Sequence, residues 1–83
     1  MGQLDDAAKA FRSADAALER AKAAAAERIT NARTARTEAR DRLHAAIVAE
    51  AKAGTPQVEI IRRSGYSRDR VRTILRAGGV EAD

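Results

Sequence analysis

The chain has 83 residues, of which 34% are charged, carries no cysteine and has a net charge of +4. That length allows one small domain whose core supplies little stability, and the lack of cysteine excludes disulfides, thiolate nucleophiles and cysteine-based zinc sites. No apolar run approaches the ~20 residues of a membrane span, and Asp5 and Asp6 stand where a signal peptide would be basic, so a cytoplasmic location is expected.

From Gln3 to Ala53 there is no Pro or Gly, and Ala, Arg, Glu and Lys dominate. Those residues favour helix, so the stretch is read as one long helix ended by Gly54. Asp5 and Asp6 suit its N-terminal dipole, and Asp5 with Lys9 and Glu38 with Arg42 are expected to pair at i,i+4. Residues 29–34 (ITNART) are the weakest helix formers, but no Gly, Pro or capping box marks a turn there, so continuity is expected. A helix of this length would span about 75 Å.

A seven-residue stripe runs along the helix: Leu4, Phe11, Leu18, Ala25, Ala32, Ala39 and Ala46, flanked by Ala7, Ala14, Ala21 and Ala35. This is the pattern of a coiled-coil seam, although Arg28 and Arg42 fall on flanking positions. An alanine-rich spacer stable through propensity alone is the plainer alternative. In an antiparallel pair centred on Ala25, Leu4 meets Ala46, Phe11 meets Ala39 and Leu18 meets Ala32, so large faces small. A parallel dimer and a hairpin monomer are the competing arrangements.

Bulky apolar residues are sparse before Arg42 and frequent from Leu43 to Val80, which puts the compact core in the C-terminal half. Residues 1–42 are therefore assigned to oligomerisation and support, 43–79 to a three-helix domain, and 80–83 to a frayed tail. The expected core is Leu43, Ile47, Val58, Ile61, Tyr66, Val71, Ile74 and Leu75. Gly78 and Gly79 are expected to stop the last helix.

Thr55–Arg76, TPQVEIIRRSGYSRDRVRTILR, reads as two short helices. Thr55 and Pro56 form a start signal, Val58, Ile60 and Ile61 a short apolar face, and Gly65 a left-handed turn. Ser67 is an N-cap, and Val71, Ile74 and Leu75 recur at helical spacing. Charge is concentrated here: residues 55–77 hold six Arg and two acids. In Ile60, Gly65, Tyr66, Ser67, Arg68, Val71 and Ile74 the stretch resembles the helix-turn-helix of bacterial DNA-binding proteins, most of all the reader modules of serine resolvases and invertases. Ile61 and Ser64 stand where that family usually has a small and an apolar residue, which implies a wider crossing of the two helices.

The fold expected is all-α, a long helix leading into a helix-turn-helix, and the resemblance implies that the helix-turn-helix reads double-stranded DNA. With Val71, Ile74 and Leu75 inward, Arg68, Asp69, Arg72 and Thr73 are the candidate base readers. Arg68 and Arg72 are suited to guanine, and Asp69 is expected to pair with Arg72 at i+3. Thr55, Gln57, Arg62, Arg63, Ser67 and Arg76 are the candidate phosphate contacts.

His44 is the only histidine and has no partner for a metal site; no phosphate loop or nucleophile with a base is visible, so neither an enzyme nor a cofactor or metal is expected. The expected function is a small sequence-specific DNA-binding protein, a regulator or a phage or plasmid accessory factor, that forms a homodimer through the long helix. The alternative is a helical adaptor whose long helix binds a partner protein.

Overall fold

The computed structural model describes residues 2–80. They form three helices: α1, Gln3–Lys52; α2, Gln57–Ser64; and α3, Arg68–Ala77. The chain is all-α, as expected from the sequence, and none of these helices is long and apolar enough to cross a membrane. Two units divide it, residues 1–35 and 36–83.

In the first unit α1 is helix without tertiary cover. Leu4, Phe11, Leu18 and Ile29 are 81%, 70%, 52% and 53% exposed. These side chains bury little within the unit, so helix propensity sustains it. α1 runs unbroken through the weak stretch 29–34, because weaker propensity costs only tenths of a kcal/mol per residue while a break forfeits hydrogen bonds. No hairpin forms among the described residues. The expected ion pairs Asp5–Lys9 and Glu38–Arg42 are absent; Lys22–Glu19 at 3.3 Å and Arg40–Asp41 at 3.6 Å are present instead. Exposed pairs of this kind have little hold on their rotamers.

The second unit carries the core. Ile47 of α1, Ile60 of α2 and Val71, Ile74 and Leu75 of α3 are buried, with Leu43, Val48, Ala51, Ile61, Tyr66 and Val80 packed against them. One expectation is corrected here. Val58 is 67% exposed, and Ile60, at 4%, takes its place in the core. α2 has only two turns, and apart from Glu59, half-buried while paired with Arg62, its half-buried or buried positions 57, 60, 61 and 64 recur at i, i+3, i+4, i+7. Val58 lies off that face.

Each helix end is closed by a glycine. At the end of α1 Gly54 N–H donates to Ala51 O and Thr55 N–H to Glu50 O; after α3 Gly79 N–H donates to Arg76 O and Val80 N–H to Leu75 O. Both are the paired 5→2 and 6→1 bonds of a Schellman closure. The second one draws Val80 onto the core, so this residue, expected in the frayed tail, is packed. Residues 81–83 of that tail lie outside the described residues. Gly78, the C-cap of α3, serves packing as well as closure, its N–H donating to Ile74 O at 3.0 Å. A Cβ built on it would stand 2.5 Å from a Val48 methyl, so its lack of a side chain lets the end of α3 approach α1.

Candidate nucleic-acid interface

α2 and α3 are joined by Gly65, Tyr66 and Ser67. Gly65 has φ 74°, ψ 6°, and its N–H donates to Ile61 O at 3.1 Å. A side chain there would be strained against its own backbone whatever the surrounding space. Ser64 completes the turn: its hydroxyl donates to Ile61 O at 3.4 Å and accepts from Tyr66 N–H at 3.2 Å. The hydroxyl thus relays the 6→1 bond that closes the other two helix ends directly. An apolar residue at 64 could not do this.

Tyr66 fixes the turn from the other side. Its ring meets His44 of α1 edge-on, with centroids 5.9 Å apart, and the Arg70 guanidinium lies 4.5 Å from the ring centroid. The sequence assigns Arg70 no role. Its placement over Tyr66 depends on a turn conformation that residue spacing does not show. Ser67 then caps α3, its Oγ accepting Arg70 N–H at 3.1 Å, as the sequence implied. This acceptor is committed to the helix end, which leaves only the hydroxyl proton for a phosphate.

α3 is buried through Val71, Ile74 and Leu75 and exposes Arg68, Asp69, Arg72, Thr73 and Arg76. Arg68, Arg72 and Arg76 follow one another at four-residue intervals, about 6 Å apart along the axis. Among the described residues none of these three has a carboxylate within ion-pair distance. The expected Asp69–Arg72 bridge is therefore not made. Asp69 sits in the first turn, where the helix dipole already favours its charge. Thr73 Oγ1 donates to Asp69 O at 3.0 Å, so its hydroxyl proton is spent within the helix.

The residues expected to touch phosphate are arranged differently. Arg62 donates twice to the Glu59 carboxylate, once through Nε at 3.1 Å. That bond holds the Glu59 carboxyl below the usual carboxylate range and raises Arg62 further above its already high value. Arg63 lies 3.5 Å from Glu50. Thr55, expected to cap α2, instead donates its hydroxyl to Glu50 Oε2 at 2.6 Å. The N-cap is Pro56, extended at φ −60°, ψ 143° and without a side-chain cap. Thr55 first, then Arg63, holds the Glu50 carboxyl below its ordinary range. Glu50 thereby ties the α1–α2 connection and α2 to the end of α1. Gln57 is half-buried in the first turn of α2, and Arg76 is exposed in the last turn of α3.

The result is a division of the arginines. Those of α2 are paired with carboxylates, and those on the outward face of α3 are not. A helix of 10–12 Å diameter carrying three such guanidiniums has the size of a major groove and donors suited to guanine edges and phosphates. Comparison with protein-family models, with curated proteins and with solved structures found no match to this chain.

Proposed function

We propose that the protein is a small sequence-specific DNA-binding protein in which α3 enters the major groove and α1 pairs with a second copy. The observation that supports this reading is the unpaired, exposed arginine face of α3, set on a helix that three other elements of packing hold in place: the Gly65 turn, the Tyr66 stack and the Ile47–Ile60 core. Arg68 and Arg72 read base edges, with Asp69 and Thr73 beside them. Arg76, the Ser67 hydroxyl and Gln57 position the helix on the backbone. Thr55 has a lesser part, since its hydroxyl proton is given to Glu50. Arg62 and Arg63 reach phosphate only by leaving Glu59 and Glu50, so their share of the affinity is smaller than their charge suggests.

The test is selection of bound sequences from a random DNA pool, followed by mobility shifts across a range of salt. Enrichment of a defined site, with affinity falling steeply as salt rises, is the expected outcome. No enrichment and no salt-dependent shift would refute it. A second reading, a helical adaptor, is favoured by the exposed Leu4, Phe11 and Leu18. It predicts a protein complex that forms without DNA and an α3 surface whose arginines can be replaced without consequence.

A further inference from the structure

Residues 43–50 of α1 border a hollow of about 190 Å³, lined by Leu43, Ala46, Ile47 and Glu50 together with Ile60, Arg63 and Ser64 of α2. The four α1 residues stand at i, i+3, i+4 and i+7, the set that makes a hole for one knob of a facing helix. Ile47 and Ile60 give it an apolar floor. Ala46, the smallest member, leaves the room. Ala46 is also the last position of the seven-residue stripe whose first large members, Leu4, Phe11 and Leu18, are exposed.

We infer that this hollow receives Leu4 of a second copy of the chain, and that two α1 helices pair antiparallel with facing positions summing to 50. In that register every large side chain on the face meets an alanine. Leu4 faces Ala46, Phe11 faces Ala39, Leu18 faces Ala32, and Ala25 faces its own counterpart on the dyad. Two matches outside the stripe follow from the same sum: Ile29 faces Ala21 and Leu43 faces Ala7. Large against small keeps the interaxial distance even and leaves no voids.

The neighbouring registers do less well. Sliding by one heptad one way takes Leu43 beyond the partner helix, and sliding the other way sets Ile29 against Arg28. Size disfavours the parallel arrangement, since Leu4, Phe11 and Leu18 would each face their own copy at one end of the stripe while alanine faces alanine at the other. In the antiparallel register Arg42 faces Ala8. Arg28 faces Lys22, and there Glu19, 3.3 Å from the Lys22 ammonium, offsets the like charge. This inference deepens the pairing half of the proposed function and is tested without DNA.

The chain has no native cysteine, so full-length Leu4→Cys and Ala46→Cys variants can be mixed and oxidised. The expected result is a covalent dimer in the mixture and in Ala25→Cys alone, where facing Cα atoms come within disulfide reach, and none in Leu4→Cys alone. Efficient crosslinking of Leu4→Cys to itself would establish the parallel form and overturn the inference, as would a monomeric mass of the unmodified chain in sedimentation. A size swap gives a second check. Ala46→Leu fills the hollow and should weaken association roughly tenfold, and adding Leu4→Ala to the same chain should recover it. Failure of the swap to recover pairing would also overturn the register. The expected crosslinks in a protein that shifts no DNA would uphold the pairing and remove only the DNA reading.

Discussion

Arg68 and Arg72 share an exposed face of α3 and have no carboxylate partner among the described residues, so their donors are available to a ligand. Arg68→Ala and Arg72→Ala should each cost about 1–3 kcal/mol on the selected site and much less on random DNA, measured by titration at fixed salt. Equal losses on both would make them phosphate contacts. Glu59 offers the converse experiment. It holds Arg62 through two hydrogen bonds, so Glu59→Gln removes a negative charge and releases a guanidinium together. Affinity for cognate and random DNA should rise alike, with a salt slope steeper by about one. A weaker or unchanged affinity would show that Arg62 never reaches the phosphates.

At the scale of the element, α2 is the helix whose buried face the sequence placed wrongly, and the energetic contrast is large. Ile60→Ala should destabilise the second unit by about 2–5 kcal/mol, whereas Val58→Ala should fall within about 0.5 kcal/mol of the unsubstituted chain, by denaturant unfolding. The reverse order would restore Val58 to the core. The end of α3 is held against α1 at Gly78. Its added Cβ would meet Val48, a β-branched side chain with little rotamer freedom to yield. Gly78→Ala should therefore cost about 1–3 kcal/mol in the same measurement. A combined Gly78→Ala, Val48→Ala chain should lose less than the two single costs added, because the clash is gone.

For the whole molecule, the two units make different demands. Residues 36–83 hold the buried cluster, while the described part of residues 1–35 is exposed helix. Pairing through α1 stabilises the folded chain by mass action, so its melting temperature should rise with protein concentration. A fragment of residues 36–83 lacks Leu4, Phe11 and Leu18, and its melting should be independent of concentration over the same range. Concentration-independent melting of the full chain would count against any self-association through the helix.

Local propensity and strong stop signals account for the helices and their ends. The length of α1 follows from the absence of Gly and Pro between Gln3 and Ala53. The Ser67 cap and the ends at Gly54, Gly65 and Gly78–Gly79 follow from residue types whose preferences are intrinsic. The inward face of α3 was legible as well, because Val71, Ile74 and Leu75 are its only large apolar residues. Contacts between elements account for the remainder. α2 has apolar residues at 58, 60 and 61, and only its docking against Ile47 selects Ile60 over Val58. Partners across many residues decide how charges are spent: Glu50 engages Thr55 and Arg63, thirteen positions away, and so turns a cap and a phosphate contact into structural ties. Tyr66 draws Arg70 over its ring by a turn geometry that spacing does not contain. The exposed pairs Asp5–Lys9, Glu38–Arg42 and Asp69–Arg72, expected from spacing at i,i+3 and i,i+4, do not form for a related reason. Each is worth only tenths of a kcal/mol, too little to fix a rotamer against solvent.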